Sequence, residues 1–92
     1  MYTLVASRRF RKQIKKLKKS NPLLLKKLES TIETLRLGKS LSPIYKDHKL
    51  TGQLTEFREC HLAPNWLLIY RQRNDLLILE LLSTGTHSTL FE

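Results

Sequence analysis

Three histidines, His48, His61 and His87, are the residues of this 92-residue chain best suited to proton transfer. An imidazole can accept or donate a proton near neutral pH, as general acid–base catalysis requires. His48 and His87 lie in segments without a helix or strand period, and His61 ends an alternating segment beside a turn. Loop positions held by a rigid sheet are common places for sites. Three solvated histidines would give the same pattern, so the sequence leaves both interpretations open.

Metal binding is a poorer interpretation of the same region. Cys60 and His61 are adjacent in a predicted strand, so their side chains point to opposite faces of the sheet. No Cys-x-x-Cys or His-x₃-His spacing occurs elsewhere in the sequence. We therefore expect no metal and no other cofactor. Cys60 is also the only cysteine, which excludes an internal disulfide and fits a reducing cytosol.

Strand alternation places Glu59 and His61 together on one face, with Phe57 beside them. The opposite face carries Arg58, Cys60 and Leu62. Residues i and i+2 of a strand lie roughly 7 Å apart, so Glu59 and His61 could both face one phosphate or base. The alternative is a solvated sheet face that carries two titratable residues by chance.

Positive charge is the strongest feature of the composition. The formal net charge is +9 and the isoelectric point is about 10.1. Fourteen of the 17 Lys and Arg residues lie within residues 1–50. Such a basic half attracts polyanions such as nucleic acid, or an acidic protein, although a solvated helix face would carry the same charge. The charge therefore indicates a class of partner rather than an activity.

Periodicity predicts the helices that would support these residues. Tyr2–Val5 is a short β-prone segment, after which Ser7 can cap a strongly basic helix. Asn21 and Pro22 can start a second helix, and Gly38 can end it. Apolar stripes follow the helical period at Phe10, Ile14 and Leu17, and again at Leu25, Leu28, Ile32 and Leu35. The two helices would form an αα-hairpin.

Beyond Gln53 the apolar residues follow the period of strands. We predict strands at Leu54–Leu62, Trp66–Arg73 and Leu76–Leu82, joined by short turns into an antiparallel meander, and a tail at Ser83–Glu92. The predicted fold class is α+β: a short N-terminal strand and a basic αα-hairpin packed on a twisted antiparallel sheet, forming one domain over residues 1–92. The apolar runs are too short to span a bilayer and no secretory segment is visible, so we expect a cytoplasmic protein with no membrane partner.

Metal-free RNA cleavage requires only residue types that this chain contains. A base deprotonates the ribose 2′-hydroxyl, cations stabilise the phosphorane, and an acid protonates the departing 5′-oxygen. Phe91 or Trp66 could stack an unpaired base, although Trp66 is equally suited to the core. Residue types alone do not separate a nuclease from another basic domain.

Four segments carry a resemblance to a known family: Tyr45–His48, Phe57–His61, Pro64–Tyr70 and Thr84–Phe91. In order and spacing they resemble the YafQ-type toxins of the RelE/ParE superfamily. The resemblance is close from Ile44 onward, whereas the basic helices match in pattern only. It implies the toxin of a type II toxin–antitoxin system, a metal-independent endoribonuclease that cleaves mRNA at the ribosomal A site and is paired with a cognate antitoxin.

The resemblance also implies roles for individual residues. His87 resembles the general acid, and His48 and His61 resemble groups that act as base or contact the phosphate. Phe91 is similar to a base-stacking residue, and Glu59 stands where the family often has an acid. The residues that we expect to bind RNA are Lys46, Lys49, Arg58, Trp66 and Arg71, together with Lys15, Lys16, Lys18 and Lys19 of the first helix.

Asn65 departs from the family pattern, which has an aspartate before the tryptophan. An amide cannot accept a proton at neutral pH, but it can hydrogen-bond a 2′-hydroxyl or a base edge. Asn65 is therefore kept as a candidate catalytic residue with two interpretations. Either this position is not the base, or His48, His61 or Glu59 has that role.

Two other classes of protein remain as alternatives. A non-catalytic toxin of the same fold that binds a protein target would not need the three histidines. A DNA-binding helix-turn-helix regulator would need polar residues in the first turn of its second helix, where Pro22–Leu25 is apolar. The histidines therefore favour the nuclease, and the regulator ranks last.

Overall fold

The computed structural model describes residues 1–91, apart from the side chain of Leu54, so the end of the predicted tail at Glu92 lies outside the described residues. Along the chain the elements are β1 (Thr3–Ala6), α1 (Arg8–Ser20), α2 (Pro22–Arg36), β2 (His48–Lys49), β3 (Arg58–Ala63), β4 (Trp66–Arg73), β5 (Ile78–Gly85) and α3 (His87–Phe91). Short 3₁₀ turns at Pro43–Tyr45 and Gly52–Leu54 precede β2 and β3.

The strands form one five-stranded sheet in the order β1-β5-β4-β3-β2. Strands β2 to β5 pair antiparallel, so the predicted meander is confirmed. β1 pairs parallel to β5, which makes the sheet mixed rather than wholly antiparallel. A parallel pair needs a long crossover connection, and the αα-hairpin begins that connection directly after β1. The α+β class is confirmed.

The helices begin where their capping residues predict. The Ser7 hydroxyl accepts a hydrogen bond from the Phe10 amide at 3.0 Å, and the Asn21 side chain accepts one from the Leu24 amide at 3.2 Å. Both helices pack on one face of the sheet around a core of Phe10, Leu17, Leu28, Ile32, Leu35, Cys60, Leu62, Leu68, Tyr70, Leu79 and Leu81. Within residues 1–91, no helix has the length and apolar character needed to cross a membrane.

The predicted starts of two strands are wrong. β3 begins at Arg58 rather than at Leu54, because a 3₁₀ turn and a hydrogen bond from the Leu50 amide to the Phe57 carbonyl close a loop there. β5 begins at Ile78, since the preceding turn includes Leu77, whose φ is 53°. Apolar residues in these turns extend the strand pattern without belonging to strands.

The predicted tail is more ordered than its sequence indicates. β5 continues to Gly85, so Ser83–Gly85 pair with β4 near the middle of the sheet. The chain then turns at Thr86 into the five-residue helix α3. This places His87 directly after the end of a strand that has neighbours on both sides.

Candidate active site

Four aromatic rings form a row on the sheet face opposite α1 and α2. The ring centroids of His48 and His61 are 6.4 Å apart, those of His61 and His87 are 6.1 Å apart, and those of His87 and Phe91 are 5.7 Å apart. The structure therefore brings together four residues that are separated by as many as 43 positions in the sequence. We call this set the ring row.

Glu59 lies beneath one end of the ring row. Its carboxylate oxygen Oε1 is 3.1 Å from His48 Nε2 and 3.8 Å from His61 Nε2, and the residue is only 5% exposed. His48 and Glu59 are directly paired across β2 and β3, which explains the short distance. The buried carboxylate therefore lies within ion-pair distance of both imidazoles.

The predicted alternation along β3 is confirmed. Cys60 and Leu62 are buried in the core under the helices, whereas His61 belongs to the ring row on the other face and Glu59 lies beneath it. Burial raises the pKa of the Cys60 thiol to about 12, so the thiol stays protonated near neutral pH. Because the thiolate is the reactive form, Cys60 is not a candidate nucleophile.

The turn before β2 fixes the His48 ring. His48 Nδ1 lies 2.7 Å from the Lys46 carbonyl oxygen, and a carbonyl can only accept a hydrogen bond. Nδ1 therefore carries a hydrogen, and Nε2 is the ring nitrogen next to Glu59. Lys46 has φ 50° and ψ 41°, a left-handed conformation that turns its carbonyl back toward the ring.

Asp47 anchors the same turn from the other face of the sheet. Its carboxylate accepts hydrogen bonds from the Tyr70 hydroxyl at 2.5 Å and from Arg58 Nε at 3.2 Å. Burial, together with the bond to Asp47, raises the pKa of Tyr70 well above its usual range, so the hydroxyl remains a donor. The hydrogen bond to Asp47 likewise raises the pKa of Arg58. This network holds the residue that precedes His48.

Helix α3 is fixed by local and distant contacts. Thr86 and Thr89 cap it reciprocally: the Thr89 amide donates to Thr86 Oγ1 at 3.2 Å, and the Thr86 amide donates to Thr89 Oγ1 at 3.0 Å. Arg9 of α1 donates to the Thr89 carbonyl at 3.1 Å. The positions of His87 and Phe91 thus depend on α1 as well as on β5.

Gly85 allows α3 to pack closely against the end of β5. A Cβ atom at this position would lie 2.7 Å from Thr89 Oγ1 and 3.3 Å from Leu90 Cδ2. We expect Gly85→Ala to lower the free energy of unfolding by about 1–3 kcal/mol through overpacking, and to shift the NMR signals of His87. Thermal denaturation and two-dimensional NMR would measure both effects.

Gly38→Ala is the matched control for this substitution. Gly38 has φ 78°, so an alanine there is strained, but its Cβ would meet nothing closer than 3.9 Å. The control should lose stability without moving the His87 signals. Unchanged His87 signals in Gly85→Ala would show that this close contact does not position α3.

Trp66 has a structural partner. Its indole Nε1 donates to Thr84 Oγ1 at 2.9 Å, and the half-buried ring packs against the core. Thr84 also donates to the Leu67 carbonyl at 2.7 Å, and its amide donates to the Gln13 side chain at 2.8 Å. The residue predicted to stack RNA therefore braces the strand that leads to His87.

The cations predicted to bind RNA fall into two groups. Lys46 and Lys49 are exposed beside His48, and Lys15, Lys16, Lys18 and Lys19 are exposed along α1. The two arginines are instead paired with carboxylates: Arg58 with Asp47, and Arg71 with Glu56 at 2.7 Å and Glu80 at 2.8 Å. The exposed lysines are therefore the better placed to meet an RNA backbone.

Asn65 lies outside the ring row, exposed in the turn between β3 and β4. Sequence reasoning gave no role to Asp47, Thr84 or Gly85, which hold His48, Trp66 and α3 in place. One feature could have drawn attention to Asp47, since it is one of three acidic residues in the basic half of the chain.

Solved toxin structures share this fold over nearly the whole chain. A crystal structure of a metal-bound toxin from Helicobacter pylori has a TM-score of 0.90 and 42% identity, covering 99% of this chain and 100% of that one. A chain in a crystal structure of the Escherichia coli DinJ–YafQ complex has a TM-score of 0.87 and 30% identity, covering 100% of this chain and 100% of that one. The shared fold and sequence identity thus place the chain in the class of these bacterial toxins.

Residues 2–92 match the family model of YafQ, described as a bacterial toxin of a type II toxin–antitoxin system, and the chain belongs to this family. The mRNA interferase toxin YafQ of Escherichia coli K12 is 45% identical over 51 residues, which make up 55% of this chain and 53% of that protein. The match therefore spans about half the length of this curated relative.

The metal in the Helicobacter pylori toxin raises the question of a metal site in this chain. Within the part of the chain that the structure describes, no group of three or more His, Cys, Asp or Glu residues is placed to hold an ion. His48 and His61 place their Nε2 atoms 3.1 Å and 3.8 Å from the same oxygen of Glu59. Because the described residues do not form a set of ligands for a metal ion, we derive no step through one.

Proposed function

We propose that this protein is a metal-independent endoribonuclease that cleaves mRNA at the ribosomal A site and thereby stops translation. The ring row, with Glu59 beneath it, is the single observation that carries the proposal. It offers two proton-transfer groups on either side of a central imidazole, with an aromatic ring at one end. Transesterification of RNA requires this arrangement of base, phosphate contact and acid.

In the proposed reaction, His48 Nε2 takes the proton of the ribose 2′-hydroxyl, assisted by Glu59. The 2′-oxygen then forms a bond to phosphorus while the bond from phosphorus to the 5′-oxygen breaks. His61 contacts the phosphate, and His87 gives a proton to the departing 5′-oxygen. The products are a 2′,3′-cyclic phosphate and a free 5′-hydroxyl. Phe91, 45% exposed at the end of the row, stacks a base next to the cleaved bond.

The exposed lysines supply attraction for the substrate. Lys46 and Lys49 flank His48, and the four lysines of α1 are exposed in the helix layer on the other face of the sheet. Contacts between lysines and phosphates release counterions, so binding to RNA or ribosomes should weaken steeply as salt is added. The same charge suits an acidic segment of a cognate antitoxin. We further propose that the protein acts in the cytoplasm, where ribosomes and mRNA are available.

The proposal is tested by incubating the purified chain with translating ribosomes and mapping the ends of the mRNA. We expect cuts inside the reading frame, 2′,3′-cyclic phosphate ends, and cleavage that persists in excess EDTA. His48→Ala should abolish most of the cuts, whereas Asp75→Asn, an exposed carboxylate in the β4–β5 turn, should leave them unchanged. Loss of cleavage on chelation, with recovery on adding a divalent metal, would contradict the metal-free mechanism.

A further inference from the structure

A cavity of about 350 Å³ opens beside His61, the second ring of the ring row. It lies between the 3₁₀ turn at Pro43–Tyr45 and the end of β3. Its wall includes Ile44, Tyr45, Ala63 and Pro64, and Lys27, Lys46 and His61 also line it. Its volume falls within the roughly 300–1,000 Å³ of sites that hold small organic ligands.

We propose that this cavity is a subsite for one unpaired nucleobase of the RNA, next to the phosphate that is cleaved. The inference rests on the proposed function, because the substrate strand must pass over the ring row to reach the cavity. His61 belongs to both the row and the cavity wall, so a strand whose phosphate contacts His61 brings its neighbouring base to this opening.

The chemistry of the wall suits a base better than a carbohydrate or a peptide carboxylate. Tyr45 packs partly against the core and lines the cavity with its aromatic ring, and Lys27 Nζ lies over that ring, 5.7 Å from its centroid. Ile44 supplies an apolar side chain that is 74% exposed. Unpaired bases stack on aromatic and apolar side chains, while nearby cations hold the phosphates of the same strand. Lys27 and Lys46 lie where those cations are needed.

The Ile44 side chain adds exposed apolar surface at the edge of the cavity. Removing apolar surface from water is favourable by about 25 cal/mol per Å². A flat, apolar base face would cover Ile44 and leave the lysine ammonium groups in solvent. The cavity is therefore a recognition element that is separate from Phe91, which does not line it.

The test uses a short 2′-O-methyl oligonucleotide of mixed sequence, which cannot form a cyclic phosphate and so stays intact. On titration, the NMR signals of Ile44 and Tyr45 should move, whereas those of Leu23, an equally exposed leucine on α2, should not. Ile44→Glu should weaken binding more than Leu23→Glu does. The first substitution places a negative charge at the proposed base, and the second places it on a distant exposed surface.

Substitution of Tyr45 gives a second measurement. Tyr45→Ala should weaken binding by about 5- to 150-fold, the usual value of one stacked base, and Tyr45→Phe should keep most of the affinity. With cleavable RNA, Tyr45→Ala should raise KM more than it lowers kcat. If the Ile44 and Tyr45 signals stay fixed while those of the ring row move, the subsite is overturned and the proposed nuclease stands. If Ile44 and Tyr45 bind the oligonucleotide but the chain cuts no RNA, the proposed function fails instead.

Discussion

Replacing His87 with alanine is expected to lower the rate of RNA cleavage by about two to four orders of magnitude, the usual contribution of a positioned general acid. His87 is exposed at the start of α3 and lies between His61 and Phe91 in the ring row. Without it, the 5′-oxygen must leave unprotonated. Single-turnover cleavage of a ribosome-bound message would measure the loss directly.

Ser88→Ala is the control for this experiment, because Ser88 is the next exposed residue of the same helix turn. It should leave the rate unchanged, and both variants should keep the affinity of the parent chain for ribosomes, since the basic helices provide most of the attraction. A His87→Ala variant with full activity would remove His87 from the mechanism.

Replacing Asp47 with alanine is expected to lower the cleavage rate by about 100-fold, although Asp47 does not lie in the ring row. Its carboxylate fixes the turn whose carbonyl orients His48, and a misplacement of about 1 Å can cost a factor of this size. Fold stability should also fall by about 1–3 kcal/mol, because the buried Tyr70 hydroxyl and Arg58 lose their acceptor. Single-turnover kinetics and urea denaturation would measure the two losses.

Asp47→Asn separates positioning from simple loss of stability. The amide oxygen can still accept from Tyr70, so the variant should retain more activity than Asp47→Ala. The ¹⁵N chemical shifts of the His48 ring report which ring nitrogen carries the hydrogen, and a loss of stability alone would not change them. The hydrogen should stay on Nδ1 in Asp47→Asn, whereas in Asp47→Ala it should be shared between the two nitrogens. Identical His48 spectra in the two variants would refute the positioning role.

Local rules in the sequence were sufficient to predict much of the fold. The caps at Ser7 and Asn21 and the period of β4 depend on residues close together in the chain, and all three are found as predicted. The shared face of Glu59 and His61 follows from alternation alone. Such features need no knowledge of what packs against them.

The rest depends on distant contacts, which a single sequence does not display. Asp47 meets Arg58 across 11 positions and Tyr70 across 23, and Arg9 reaches Thr89 across 80. Leu77 extended the apolar pattern of β5 into the preceding turn, where the side chain is exposed. The sequence alone does not distinguish a leucine in a strand from a leucine in a turn. Tertiary pairing therefore decided where the reactive side chains meet.

The ring row combines segments of very different local stability. Glu59 and His61 lie on a strand that is paired on both sides, whereas His48 lies on a two-residue edge strand and His87 on a five-residue helix. Short segments with few buried contacts open at free energies well below that of global unfolding. The ring row is complete only while both β2 and α3 are folded in place. A partner that held either β2 or α3 in an open form would inactivate the protein while its core remained folded. Such a partner would need to bind only one of these two short segments.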